Sequence, residues 1–244
     1  MLYNNYMERK TERLQDLEID TFGFEEALEY GFQKRGQVVT LNPEMVMNSK
    51  NNAELKTIIN NAELVIPDGV GVEIGLKILG KKVHRIAGIE FAKAMIRKYW
   101  ENNLPIALVG AKQEVLELAV ANLKKEFADI KIVYAHNGYF DNDDLIADSL
   151  KKSGAKLALI ALGSPKQEQF SYNLKKEMPE TLFIGVGGSF DVWSNKVERA
   201  PEFFQKAGLE WLYRTVKEPA RFKRIFPTLP LFVLRVIKER ICKC

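Results

Sequence analysis

The chain has 244 residues, 46% of them hydrophobic and 28% charged, with a formal net charge of +4; this is the balance of a folded globular protein and excludes disorder over most of the length. At this size roughly 70–75% of the unfolded surface is buried on folding, so one core holds without metal or disulfide. No apolar run reaches the roughly 18 residues of a spanning helix, residues 1–16 lack the apolar stretch of a signal peptide, and Cys242 and Cys244 fit neither zinc nor disulfide spacing, so a cytoplasmic protein with free thiols is expected.

In chain order, a first strand is predicted over 37–40, with Thr40 and Asn42 at its end, and a helix over 53–60. A strand over 64–66 runs into Pro67-Asp68-Gly69 and a helix over 71–79; a helix over 91–102 follows. The strand over 106–109 ends in Val109-Gly110 before a helix over 113–127, and the strand over 132–135 ends in His136-Asn137-Gly138 before a helix over 144–152. The strand over 157–161 leads through Gly163 to a helix over 166–177, and the last strand, 182–186, ends in Gly187-Gly188. Alternating apolar runs and helical periods predict an α/β fold: a Rossmann-like, mainly parallel sheet with helices on both faces. Right-handed crossovers place every strand's C-terminal end on one edge, where ligands of such sheets bind. Glycines and helix N-termini gathered on that edge suit a phosphate or nucleotide.

Charge divides the chain near Asn195. Residues 196–244 carry 12 Lys/Arg against 5 Asp/Glu, a balance of +7, which leaves −3 for residues 1–195. The expected organisation is a catalytic α/β domain over 1–195 and a basic, amphipathic helical appendage over 196–244. Its Phe203, Trp211, Leu212, Phe226 and Leu234 among basic residues suit an anionic membrane surface. Nucleic acid is the competing partner for the charge, and packing of Phe203, Leu209, Trp211 and Leu212 on the core, or self-association into a homo-oligomer, competes for the apolar surface.

Asp68 leaves an apolar strand into a glycine-rich turn, which suits either a helix cap or a general base; the spacing is compatible with both. Gly69-Val70-Gly71 opens a dinucleotide fingerprint that fails at Ile74, which weighs against a nicotinamide enzyme. Asp141-Asn142-Asp143 could hold a divalent ion, but it opens a predicted helix and reads more simply as capping. His84 and His136 suggest no local pair, so neither metal nor cofactor is assigned.

Beyond these readings, the chain resembles the WecG/TagA/CpsF glycosyltransferases of bacterial cell-surface polymer synthesis over nearly its whole length. The resemblance rests on Thr40-Leu41-Asn42-Pro43-Glu44-Met45, Ile66-Pro67-Asp68-Gly69-Val70-Gly71, Arg85-Ile86-Ala87-Gly88, Val109-Gly110-Ala111-Lys112 and Asn137-Gly138-Tyr139-Phe140. It continues in Ala161-Leu162-Gly163-Ser164-Pro165-Lys166-Gln167-Glu168, Gly185-Val186-Gly187-Gly188-Ser189-Phe190-Asp191, Arg199-Ala200-Pro201 and Gly208-Leu209-Glu210-Trp211-Leu212-Tyr213-Arg214, and ends in Glu218-Pro219 with Arg221 and Arg224. Glu90 stands where many relatives carry Asp, and Asn195 where glycine is frequent; Thr215 and Lys217 interrupt the usual wording near Glu218-Pro219.

The resemblance implies a glycosyltransferase of teichoic acid synthesis at the inner face of the cell membrane. Such enzymes move N-acetylmannosamine from a UDP-sugar donor to undecaprenyl-diphosphate-linked N-acetylglucosamine, with inversion and without a metal. Transfer of N-acetylmannosaminuronate or glucose is the alternative. The implied base is Asp68, with Arg85 and Gln167 at the diphosphate. Thr40, Asn42, Gly88, Val109, Gly110, Asn137, Gly138, Glu168, Gly187, Gly188 and Asp191 are expected to line donor and acceptor. One of Arg214, Arg221 and Arg224 is expected to close on the diphosphate.

Overall fold

The computed structural model describes residues 7–206, 209–217 and 219–242, and leaves out the side chains of 205, 206, 211, 214, 217 and 219–225. Two short strands the sequence reading did not draw come first: β1 (Thr11–Leu14) and β2 (Leu17–Asp20) form an antiparallel hairpin, followed by helix α1 (Phe24–Lys34). All six expected strands then appear, as β3 (Gly36–Leu41), β4 (Leu64–Pro67), β5 (Ile106–Gly110), β6 (Ile132–His136), β7 (Leu157–Ala161) and β8 (Leu182–Gly185). They make one parallel sheet in the order β4-β3-β8-β7-β5-β6.

Between them run α2 (Pro43–Asn48), α3 (Ala53–Asn60), α4 (Val70–Ile78), α5 (Gly88–Glu101), α6 (Gln113–Glu126), α7 (Asp143–Ser153) and α8 (Lys166–Leu174). After β8 come α9 (Ser189–Trp193), α10 (Glu202–Lys206), α11 (Glu210–Lys217) and α12 (Pro219–Cys242). The α8 helix stops three residues short of its predicted end, and residues 175–177 continue as turns. Asn42, Asn52 and Asn142 cap α2, α3 and α7, each side-chain oxygen accepting backbone N–H groups of the first turn.

Because side chains alternate across a strand, each strand feeds two layers. Val38, Leu64, Ile66 and Leu108 face α1, α5, α6 and α9, whose Ala27, Phe91, Met95, Leu116 and Phe190 complete one layer. On the opposite face Val39 and Val65 meet the hairpin and α2, α3 and α4, while Ala107 and Val109 meet α7 and α8.

The C-terminal helix joins that second face. Phe232 and Val236 of α12 are fully buried in the cluster of Leu14, Val39, Val72 and Leu76. A side chain on Gly75 would place its Cβ 2.8 Å from the Phe232 ring, so the close approach of α12 to α4 depends on glycine. Gln15 adds polar ties, donating to Glu239 Oε2 at 2.8 Å and to the Arg235 carbonyl at 3.2 Å. The opposite side of α12 exposes Phe226, Leu231, Leu234, Ile237 and Ile241 beside Arg235 and Lys238. Among the described residues no helix is long and apolar enough to cross a membrane.

Candidate functional site

All six strands are parallel, so their C-terminal ends share one rim. Adjacent strands there send their chains in opposite directions: β5 leads through α6 to β6 on one side, β7 through α8 to β8 on the other. Such a divergence opens a crevice. The expected residues fall into two groups along this rim, one over β4-β3-β8 and one over β7-β5-β6.

The first group centres on Asp68. Its N–H donates to the Leu41 carbonyl at 2.8 Å, which ties the end of β4 to β3. Gly69, at φ +85°, turns the chain into α4 in a conformation that favours glycine, and it is Gly69, not Asp68, that occupies the cap position of α4. The Asp68 carboxylate instead accepts the N–H groups of Gly69 and of Gly88, the first residue of α5. It therefore sits at the positive end of a fourteen-residue helix whose own cap, Ala87, has no side-chain acceptor. A Cβ at Gly88 would lie 2.9 Å from Thr40 Cγ2 and 3.0 Å from Asp68 Oδ2, so only glycine lets α5 start this close.

Asp68 keeps partial access to solvent, yet protein encloses it on its other sides, and this desolvation pushes its carboxyl up to about 6. The Gly88 N–H and the Arg85 charge oppose that rise, and the Glu210 charge adds to it. Arg85 is placed by the segment that returns from α4, where the Ile86 N–H donates to the Pro67 carbonyl at 3.0 Å. A cavity of about 470 Å³ opens beside it, lined by Arg85, Ala87 and Glu90 with Arg199 and Glu202 from the C-terminal segment.

Thr40 and Asn42 use side-chain oxygens on the protein: the Thr40 hydroxyl donates to the Gly185 carbonyl at 3.0 Å, and Asn42 Oδ1 accepts the Met45 N–H at 3.0 Å. Gln167 and Glu168 are almost fully buried, not the exposed first turn that their place at the start of a helix suggests. Gln167 Nε2 donates to Glu168 Oε1 at 2.7 Å, and Gln167 Oε1 accepts the Gly187 N–H at 3.2 Å.

The second group is a set of interlocked turns. The Gly138 N–H donates to the Ala111 carbonyl at 2.8 Å, the Ala111 N–H donates to the Ala161 carbonyl at 3.1 Å, and Asn137 Nδ2 donates to Gln113 Oε1 at 2.9 Å. Gly110 lies at the end of β5 between these turns, whereas Val109 is fully buried, its side chain in the apolar layer under α7. Gly188 occupies the cap position of α9, with Asp191 in the first turn. Asn142 caps α7, as the simpler reading of the Asp141–Asp144 run has it, and among the described residues no three His, Cys, Asp or Glu side chains cluster to hold a metal ion. Arg214 lies in α11 and Arg221 and Arg224 in α12, but their side chains are outside the described set.

Arg199 and Glu210 join the site without any sequence signal that marks them. Arg199 Nη2 pairs with Glu90 at 2.7 Å and its Nε faces Glu210 Oε1 at 4.0 Å, so one guanidinium spans α5 and α11 beside the cavity. No spacing rule links residues 109 apart in sequence.

Comparison with known proteins identifies the family. The pattern of the glycosyl transferase WecG/TagA/CpsF family matches residues 13–243. The chain is also 32% identical over 226 residues, 92% of its length and 88% of the relative's, to the N-acetylglucosaminyldiphosphoundecaprenol N-acetyl-beta-D-mannosaminyltransferase of Bacillus spizizenii. A carboxylate on a glycine-lined rim, in a chain that matches from its N-terminal hairpin to its last helix, places this protein in the WecG/TagA/CpsF family of glycosyltransferases.

Proposed function

We propose that the chain transfers N-acetylmannosamine from UDP-N-acetylmannosamine to undecaprenyl-diphosphate-linked N-acetylglucosamine, with inversion and without a metal, in teichoic acid synthesis. The sugar and acceptor follow the name of the Bacillus spizizenii relative. The observation that carries the chemistry is Asp68: a rim carboxylate whose proton affinity is raised to about 6 is ionised at neutral pH yet strong enough as a base to take a proton.

In this reading the acceptor hydroxyl oxygen attacks the anomeric carbon as its proton passes to Asp68. The bond from that carbon to the diphosphate oxygen breaks, and UDP leaves with the electron pair. Arg85, whose charge acts on Asp68, is the cation assigned to the departing diphosphate, and the amides of the rim turns supply further positive dipoles. One of Arg214, Arg221 and Arg224 completes the charge, since a forked guanidinium suits phosphate oxygens.

The acceptor's polyprenyl chain lies in a bilayer, so the enzyme works at the membrane's inner face. The two-sided α12 supports this: one side is in the core, and the other offers Phe226, Leu234 and Ile241 with Arg235 and Lys238 to lipid.

A panel of UDP-sugars with the lipid-linked acceptor, scored by released UDP, tests the assignment. UDP-N-acetylmannosamine is expected to be the preferred donor, with turnover unaffected by a chelator. Preference for another sugar overturns the donor, and loss of activity with chelator overturns the metal-free reading.

A further inference from the structure

The core beneath the rim holds one carboxyl group that the proposed chemistry leaves without a task. Glu168 is 2% exposed, and its Oε2 has no hydrogen-bond partner. The Gln37 side-chain oxygen, from the neighbouring β3, is likewise buried and unpaired, although the Gln37 amide nitrogen donates to the Glu168 carbonyl at 3.0 Å. The two unpaired atoms are both acceptors, and among the described residues the groups that act on the Glu168 side chain are Gln167, the Ser164 hydroxyl and its own N–H, none of them a cation. Across β8, Gly185 leaves the space that Gln167 and Glu168 fill, since a Cβ there would lie 2.7 Å from Gln167 Nε2 and 3.2 Å from Glu168 Oε1. A carboxylate in this setting would be an unpaired buried charge, which costs far more than taking up a proton.

We infer that Glu168 is held as the neutral carboxylic acid and serves as a positioning residue: it anchors the Gln167 amide nitrogen, so that the Gln167 oxygen fixes the Gly187 N–H at the sheet rim. The acid supplies one further donor to a layer in which two buried oxygens stand unpaired. Gln167, with both ends engaged, orients the Gly187-Gly188 turn at the start of α9 without reaching the ligand itself. Burial raises the Glu168 carboxyl above its ordinary range, in the same sense. The reading rests on the proposed UDP-sugar site only for what the turn binds, not for the proton.

Infrared difference spectra of wild type against Glu168→Gln at pH 8, where Asp68 is ionised, test the proton directly. A protonated-carboxyl C=O band present in wild type and lost in the variant is expected; an ionised-carboxylate difference overturns the inference. Titration calorimetry with UDP tests the positioning. Wild-type affinity is expected to fall as rising pH ionises Glu168, Glu168→Gln to remove that dependence, and Glu168→Ala to bind at least tenfold more weakly at every pH. Wild-type pH dependence retained in Glu168→Gln overturns the positioning role, and this comparison decides even if Glu168→Ala does not fold. A wild-type chain that binds no UDP at any pH overturns the donor reading instead, and leaves the infrared result to decide the proton.

Discussion

The Asp68 carboxylate accepts the N–H of Gly88, so the first residue of α5 serves the end of β4 from twenty positions along the chain. This contact holds the proposed base in place and keeps it partly ionised against the cost of burial. Gly88→Ala would press a methyl group on Thr40 and Asp68. The expected result is a loss of about 1–3 kcal/mol in stability and a larger fall in turnover than in UDP affinity, measured by denaturant melts, released UDP and calorimetry. Unchanged turnover would remove Gly88 from the account.

Asp68→Asn separates chemistry from stability. Folded, the carboxyl holds its proton up to about 6, against an ordinary value of 3.8. Between these values the folded state binds more protons than the unfolded chain, so stability falls as pH rises through that window and the full cost is present above it. The neutral amide is therefore expected to raise stability by about 1–3 kcal/mol at pH 8 while turnover drops roughly 10²- to 10⁴-fold. A variant that melts lower and still transfers sugar contradicts both halves.

The same group sets the acid limb of the rate profile. Rate is expected to rise with pH through about 6 as Asp68 ionises. Glu210 contributes to that value by its negative charge, so Glu210→Gln should move the limb to lower pH. Arg199→Ala should also weaken the hold of α11 on α5, since Arg199 faces both Glu90 and Glu210. An acid limb that stays put in Glu210→Gln would show that the C-terminal segment has no electrostatic hold on the base.

Opposite sides of α12 are expected to respond differently. Phe232→Ala empties a fully buried site and should cost about 3–5 kcal/mol; by the same packing, a chain cut at residue 195 should not keep its full stability. Leu234→Ser with Ile241→Ser alters only exposed positions, so melting should hardly change while sedimentation with anionic vesicles falls. Vesicle binding unaffected by the pair would remove the membrane role of this face.

Much of this fold could be read in the sequence, for identifiable reasons. Each strand of the sheet is a short apolar run bounded by turn residues, and α3 is read to the residue from apolar positions three and four apart, with Asn52 found to cap its start. The β1–β2 hairpin was missed because its eight residues mix charged and apolar side chains with no run of either. The sheet order, with β8 inserted between β3 and β7, is set by pairings distant in sequence. Asn195 sits at φ +60°, a left-handed position that asparagine tolerates and glycine prefers. At the site, Asp68 and its glycine turn were legible. The burial of Gln167 and Glu168 was not, because it depends on Gly185 lying opposite in space.

Gln15 and Glu239 lie 224 positions apart, yet they meet across the same seam that Leu14 and Phe232 fill. Closing that seam requires the chain to bring partners far apart in sequence together, a long loop whose entropy opposes rapid assembly. Until α12 docks, the part of the cluster that Phe232 and Val236 cover stays exposed. The outward face of α12 takes its orientation from this seam, so loosening the Gln15–Glu239 tie should disturb the surface proposed to meet lipid along with the core beneath it.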